Sequence, residues 1–326
     1  MAYPNFCDKL TFMKKLLAIV GPTGTGKTDL ALELAKQFNG EIISADSRQI
    51  YTGMDIGTGK EIRNSKHEIR KSEGSWVVDG VPIYLYDVID PDQSFSVAEF
   101  QQLAYKKIDE IHKQSKLPIL VGGTGLYVRA VIQGLKIPQV QPDKRLRKRF
   151  EKKPLGALLK ELEEVDPKAY LKVDKSNPRR VIRALEVYYK TGKTLSSLAK
   201  KYKPNFGSLI IGLTAPREIL YEKADKRIES WFEKGFIDEV KRLLKKYPPS
   251  LSSMSSLGYR QVISYLEKKT TLAEAIQRTK FDHHSYIRRQ LTWFKKEPNI
   301  FWFDISGNSF DQDIHKLIVN WLGNTV

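Results

Sequence analysis

The sequence predicts an α/β fold: a parallel sheet flanked by helices, with an all-helical domain inserted into it. Two observations carry that prediction. Short apolar runs of strand length alternate with segments of helical period over most of the 326 residues, as they do when crossover helices cover a parallel sheet. Between Pro138 and Pro204 the strand pattern stops and only helical period remains. A chain of this length can bury a full core and divide into two units, one inserted in the other. The expected division is a core of residues 13–140 and 205–326, an insertion of 141–204 and an irregular extension of 1–12, with Met13 as an alternative translation start.

The first strand is Leu16–Val20, five apolar residues closed by Gly21. That run is too short for the apolar region of a signal peptide. A helix follows over Thr28–Phe38, where Leu30, Ala31, Leu34, Ala35 and Phe38 form one apolar stripe. Further strands are expected at Glu41–Ser44, Ile83–Val88, Pro118–Val121, Ser208–Leu213 and Ile300–Phe303. Core helices are expected at Val97–Ser115, Ile219–Lys234, Ile237–Lys246, Tyr259–Glu267, Leu272–Phe294 and Asp311–Leu322. Residues 57–80 are polar and without clear period, and read as a surface excursion with a hairpin closing at Asp79-Gly80. In the insertion, helical period covers Lys144–Lys152, Leu155–Glu164 and Pro178–Tyr189, with a shorter piece near Leu195–Lys201.

Composition narrows the function classes. No apolar run approaches the length of a membrane span, which predicts a soluble protein with no membrane partner. The one cysteine, Cys7, excludes an internal disulfide framework and a cysteine-based zinc site, and fits a reducing cytoplasm. The formal charge is +17, and residues 141–204 hold 19 Lys and Arg against 8 Asp and Glu. Lysine-rich helices are commonly just solvated surface, but clustering of this size predicts a polyanion partner, nucleic acid first.

The residues that carry chemistry begin directly after the first strand. Gly21-Pro22-Thr23-Gly24-Thr25-Gly26-Lys27-Thr28 has the form G-x-x-x-x-G-K-[ST] between a strand and a helix, which predicts a P-loop NTPase-like sheet. Glycines let backbone N–H groups wrap anionic oxygens at a helix N-terminus, Lys27 adds a point charge, and the Thr28 hydroxyl is placed to hold Mg2+. Asp46 follows the second strand, so it either faces the ligand of the phosphate loop or caps the next turn. A P-loop ATPase or GTPase carries an Asp after another apolar strand to hold magnesium. Here that strand runs into Gly122-Gly123-Thr124-Gly125, with no carboxylate. The loop is therefore suited to a diphosphate leaving group rather than to triphosphate hydrolysis. Arg217 follows the strand Ser208–Leu213 and reads equally as a charge stabiliser or a surface arginine. His283 and His284 are adjacent on a helix and point about 100° apart, which does not suit one metal.

Together these residues resemble the tRNA dimethylallyltransferase family, also called tRNA isopentenyltransferase, in its bacterial form. The matching blocks are GPTGTGKT at Gly21–Thr28, ISADSRQIY at Ile43–Tyr51, MDIGTGK at Met54–Lys60, DPDQSFSVAEF at Asp90–Phe100, VGGTGLY at Val121–Tyr127, NPRRVIRALE at Asn177–Glu186, LGYRQ at Leu257–Gln261 and RRQLTWF at Arg288–Phe294. The resemblance implies transfer of a dimethylallyl group from its diphosphate to the N6 amine of the adenosine 3′ to the anticodon, in tRNAs reading codons that begin with U. It implies that Gly21–Thr28 hold the diphosphate with Mg2+ on Thr28, that Asp46 takes the amine proton, and that Thr23 and Arg217 stabilise the breaking bond. It further implies that Asp46, Ser47, Arg48, Gln49, Thr124, Arg147, Pro178, Arg179, Arg180, Val181, Ile182, Gly258, Tyr259 and Arg260 meet the tRNA anticodon stem-loop. Arg145 and Arg149 are alternatives to Arg147. The expected enzyme is a cytoplasmic monomer. Two departures stand out: Glu61–Val81 is long for the family, and Ile83 occupies a place where many members carry histidine.

Three other readings compete. An adenylate isopentenyltransferase would not need the basic insertion or the GYRQ block. A P-loop kinase acting on a nucleotide would need the second-strand carboxylate. A noncatalytic RNA-binding protein would not need Lys27, Thr28 and Asp46 intact.

Overall fold

The computed structural model describes residues 14–60, 68–138, 140–198, 202–307 and 310–323. The expected extension 1–12, the start at Met13, the middle of the 57–80 excursion and the end of the Leu195–Lys201 helix lie outside the described residues. The strands are β1 Lys15–Val20, β2 Gly40–Ser44, β3 Ile69–Ser72, β4 Ser75–Val78, β5 Val81–Tyr84, β6 Leu117–Gly122, β7 Gly207–Thr214 and β8 Ile300–Asp304. They form one sheet in the order β3-β4-β5-β2-β6-β1-β7-β8. From β5 to β8 every pairing is parallel, while β3-β4 and β4-β5 are antiparallel. The fold class is α/β with a mostly parallel, helix-flanked sheet, as the alternation predicts.

The helices are α1 Lys27–Gln37, α2 Val97–Lys113, α3 Gly125–Ile132, α4 Lys144–Glu151, α5 Leu155–Val165, α6 Pro167–Lys172, α7 Pro178–Thr191, α8 Leu195–Leu198, α9 Arg217–Glu233, α10 Phe236–Leu244, α11 Tyr259–Leu266, α12 Leu272–Phe294 and α13 Phe310–Gly323. The sequence reading missed α3, whose start is hidden among glycines, and α6, which Asp166 caps through the Ala169 N–H with Pro167 in its first turn. It also read β5 too far. Leu85 and Asp87 have φ of 66° and 51°, a left-handed backbone that ends the strand. The excursion does close a hairpin at Asp79-Gly80, both at positive φ as a two-residue hairpin turn requires.

Contacts divide the chain into two compact units. One comprises 1–96, 102–128 and 205–326, and the other 97–101 and 129–204, so the second begins earlier than the expected position 141. In the first unit, Leu17, Ile19, Ile42, Ile83, Ile119 and Ile211 from five strands form the main core with α1 and α13. Each fully buried side chain of this size contributes about 1.5–3 kcal/mol. The second unit has its own core of Phe150, Leu158, Leu162, Val181, Ile182, Ala184 and Leu185 from α4, α5 and α7.

Strand register positions the site. Val20 pairs with Gly122 in one direction, and Val121 pairs with Ser44 in the other. The carboxyl ends of β1, β6 and β2 therefore come level, and the loops that leave them emerge side by side.

Candidate active site

The phosphate loop leaves β1 at Gly21, where φ is +141° and a Cβ would fall 2.4 Å from the Leu213 carbonyl oxygen of β7. Only glycine fits there. The loop turns back on itself: the Thr25 hydroxyl donates to the Pro22 carbonyl at 3.0 Å. Gly26 then opens α1, placing Lys27 and Thr28 in its first turn. The expected anion cradle, Gly21 through Thr28, is thus a loop ending at a helix N-terminus.

Lys27 is half-buried and its ammonium donates to the Pro22 carbonyl at 2.7 Å. Burial lowers its pKa from the ordinary lysine value to about 7. The Arg227 charge pushes the same way, and Asp46 opposes both. These three groups share one electrostatic environment. Arg227, midway along α9, also donates to the Gly59 carbonyl at 3.1 Å.

Asp46 leaves β2 on the turn that follows it. Its Oδ1 accepts the Arg48 N–H at 2.8 Å, so the capping reading is correct as far as one oxygen goes. The carboxylate also acts on two tyrosines, Tyr86 and Tyr286, whose hydroxyls are pushed up by burial first and by the Asp46 charge second. The Tyr286 hydroxyl meets Thr124. Thr124 Oγ1 in turn accepts the Ser47 N–H at 3.1 Å.

Several expected contact residues are already engaged elsewhere. Gln49 accepts from the Ser44 hydroxyl at 2.8 Å and donates to the Thr58 and Gly59 carbonyls at 3.3 and 3.4 Å. Arg48 reaches the Ser252 carbonyl at 3.1 Å. Tyr259 is fully buried and donates to Glu239 at 2.6 Å, so its side chain is core and not a tRNA contact. Gly258 packs beneath Phe236, whereas Arg260 is exposed and pairs with Asp282 at 2.6 Å.

The second unit, taken by itself, sorts its expected residues in the same way. Pro178, Arg179 and Arg180 are exposed on the first turn of α7, but Val181 and Ile182 are buried in the core. Those two cannot meet tRNA through their side chains. Arg147 grips Glu186 with two bonds of 2.8 Å. Burial alone would raise the Glu186 carboxyl, yet bonds from Arg147, the Asp143 amide and Arg183 bring it down to about 2. Arg147 therefore anchors α4 to α7, while Arg145 and Arg149 on the same helix face solvent.

Arg217 is exposed in the first turn of α9, three residues before Leu220, whose carbonyl lies against Gly24. The arginine whose charge reaches Lys27 is Arg227. Sequence reasoning missed it because it has no strand before it and stands inside a helical period. It also missed Gln290, a buried residue of α12 whose Oε1 accepts the Thr23 N–H at 2.9 Å.

Magnesium can be tested against these residues. Among the described residues no group of three His, Cys, Asp or Glu converges to hold a metal. Magnesium, however, commonly takes one or two protein oxygens plus substrate phosphates. The Thr28 hydroxyl, half-exposed in the first turn of α1, suits that mode. His283 is buried and held at about 4 by that burial, with Nδ1 at the Thr279 carbonyl, while His284 pairs with Asp225 at 2.8 Å. No helix among the described residues is long and apolar enough to cross a membrane.

Comparison with known proteins fits this geometry. The model of the IPP transferase family matches residues 49–297. The chain is 42% identical to the tRNA dimethylallyltransferase of Thermomicrobium roseum, over 90% of this chain and 87% of that one. It is 42% identical to the tRNA dimethylallyltransferase of Halalkalibacterium halodurans, over 95% and 98%. The crystal structure of the tRNA isopentenylpyrophosphate transferase of Bacillus halodurans superposes with a TM-score of 0.69 at 40% identity, covering 95% and 97% of the two chains. A eukaryotic dimethylallyltransferase acting on tRNA matches with a TM-score of 0.77 at 26% identity, covering 94% of this chain and 78% of that one.

Proposed function

The chain belongs to the IPP transferase family, and we propose that it is a tRNA dimethylallyltransferase. It moves a dimethylallyl group from dimethylallyl diphosphate to the N6 amine of the adenosine immediately 3′ to the anticodon, in tRNAs reading codons that begin with U. The products are N6-isopentenyladenosine and diphosphate. The observation that carries this reading is the strand register, which brings the loop after β1, leading to Lys27, and the turn after β2, bearing Asp46, to the same end of one sheet: a cation for a diphosphate and a carboxylate for a proton.

The phosphate loop offers backbone N–H groups and Lys27 to the diphosphate. Thr28 would hold a magnesium ion against the same oxygens, where it would offset charge on the leaving group. The adenosine amine attacks the first carbon of the dimethylallyl group, and the bond from that carbon to the diphosphate oxygen breaks, its electron pair leaving with the diphosphate. Asp46 takes the surplus proton of the amine. Its Oδ1 is held by the Arg48 N–H, which orients Oδ2 as the accepting atom. We assign the diphosphate side to Thr23, in the same loop as Lys27, and to Arg227, whose charge acts on Lys27.

A base inside a stacked anticodon loop cannot reach a diphosphate at the end of a sheet, so the adenosine must be flipped out at a cost of a few kcal/mol. Phosphate contacts from the basic second unit, with Arg179 and Arg180 exposed, offset that cost. The missing carboxylate after β6 favours a leaving diphosphate over hydrolysis. We read the working enzyme as a monomer, because the donor loop and the proton acceptor leave neighbouring ends of one sheet in one chain, and as cytoplasmic, because a single cysteine suits a reducing compartment.

The test is a matrix of labelled dimethylallyl diphosphate or ATP, each incubated with tRNA or AMP. Label should pass from dimethylallyl diphosphate to tRNA. Transfer to AMP instead, or from ATP, would replace this reading with an adenylate isopentenyltransferase or a kinase.

A further inference from the structure

Gln290 has both ends of its side-chain amide committed to the active-site loops. Its Oε1 accepts the Thr23 N–H at 2.9 Å, and its Nε2 donates to the Gly123 carbonyl at 3.0 Å. Thr23 is 267 residues away in sequence, in the loop after β1, and Gly123 is in the loop after β6. Gln290 is only 4% exposed, so water does not substitute for either bond. Gly123 is shaped to it: a Cβ there would fall 2.2 Å from Gln290 Nε2. The next residue, Thr124, accepts the Ser47 N–H beside Asp46.

We propose that Gln290 is a positioning residue that sets the spacing between the diphosphate side of the site, at Thr23, and the adenosine side, at Thr124 and Asp46. This rests on the prenyl-transfer reading above. The bond from Gln290 takes the Thr23 amide out of the set that faces the diphosphate and fixes how the loop presents the Thr23 side chain. The bond to Gly123 holds the second loop at the same side chain. Transfer needs donor carbon and amine nitrogen at near-contact distance, where a misplacement of about 1 Å costs about 100-fold in rate. Glutamine fits because one end accepts and the other donates. Methionine has similar length and does neither.

The experiment compares wild type, Gln290→Met, Gly123→Ala and the double variant. Readouts are single-turnover transfer from labelled dimethylallyl diphosphate to tRNA at saturation, the KM for the donor, tRNA affinity and the melting midpoint. Each single variant is expected to lose about 30–100-fold in turnover, with tRNA affinity within about threefold of wild type, too small a change to reflect a lost phosphate contact. The double variant is expected to fall no further than the worse single variant, because both remove the same contact. Turnover near wild type in a folded Gln290→Met protein, or losses that simply add, would overturn the proposal. Should Gln290→Met fail to fold, Gly123→Ala alone decides by the same turnover criterion. A wild type that labels no tRNA would instead refute the transfer reading, which keeps the two failures apart.

Discussion

The Lys27 ammonium donates to the Pro22 carbonyl of its own loop at 2.7 Å. The residue expected to grip the diphosphate is thus folded back on the loop, with its pKa brought down to about 7 by burial and then by Arg227. An incoming diphosphate supplies the negative charge that favours the ammonium form. Donor binding and protonation of Lys27 are therefore linked.

The linkage has a definite sign. Between pH 7 and 10.5 the folded protein binds fewer protons at Lys27 than the unfolded chain, and a bound diphosphate, which favours the ammonium, would restore that proton. Stability from this group therefore rises with pH across that window, while diphosphate affinity falls. Calorimetric titration of diphosphate at pH 8, in buffers of different ionisation enthalpy, should show uptake of up to about one proton. Lys27→Met should abolish the uptake. No uptake in wild type would mean that Lys27 is already charged in the empty site.

Lys27→Ala should lower transfer by about 10²–10³-fold, as loss of one charge-stabilising donor does. Binding of tRNA should change little, because Lys27 belongs to the donor site. A comparable loss of tRNA affinity in filter binding would contradict the assignment.

Arg227 and Arg217 make opposite predictions. Arg227 acts electrostatically on Lys27, whereas Arg217 is exposed in the first turn of α9. Arg227→Ala should therefore cost more than tenfold in transfer, and Arg217→Ala less than about threefold, the scale of lost surface charge. Steady-state kinetics of both variants decide the matter. The reverse ranking would restore Arg217 as the group that stabilises the breaking bond.

Reversing Arg179 and Arg180 to Glu should weaken tRNA binding and flatten its salt dependence. Each lost phosphate contact removes about one counterion from the slope. Both side chains are exposed, so folding of the second unit should survive. An unchanged salt slope would make this basic surface a solvated one.

Local pattern made much of this molecule legible. The strand–loop–helix context of Gly21–Thr28, the place of Asp46 after the second strand and the helical stretch between Pro138 and Pro204 all follow from periodicity and short motifs. Residues that act across the fold were not legible. Arg227 and Gln290 reach the phosphate loop from helices far along the chain, and such contacts leave no spacing signal. A run such as Val181-Ile182, or Tyr259 beside Arg260, also hides which side chains face inward until packing is known. The β3-β4 hairpin was obscure because every residue of β3 is exposed and carries no apolar alternation.

Asp46→Asn tests the central claim most directly. Asn keeps an oxygen for the Arg48 N–H, so the turn after β2 should persist. It removes the carboxylate that would take the amine proton. Single-turnover transfer of labelled dimethylallyl to tRNA, with both substrates saturating, should fall by about 10²–10⁴-fold, while tRNA affinity and melting midpoint stay near wild type. Transfer within about threefold of wild type, far below the effect of losing a general base, would show that Asp46 is only a turn cap and that another group handles the proton.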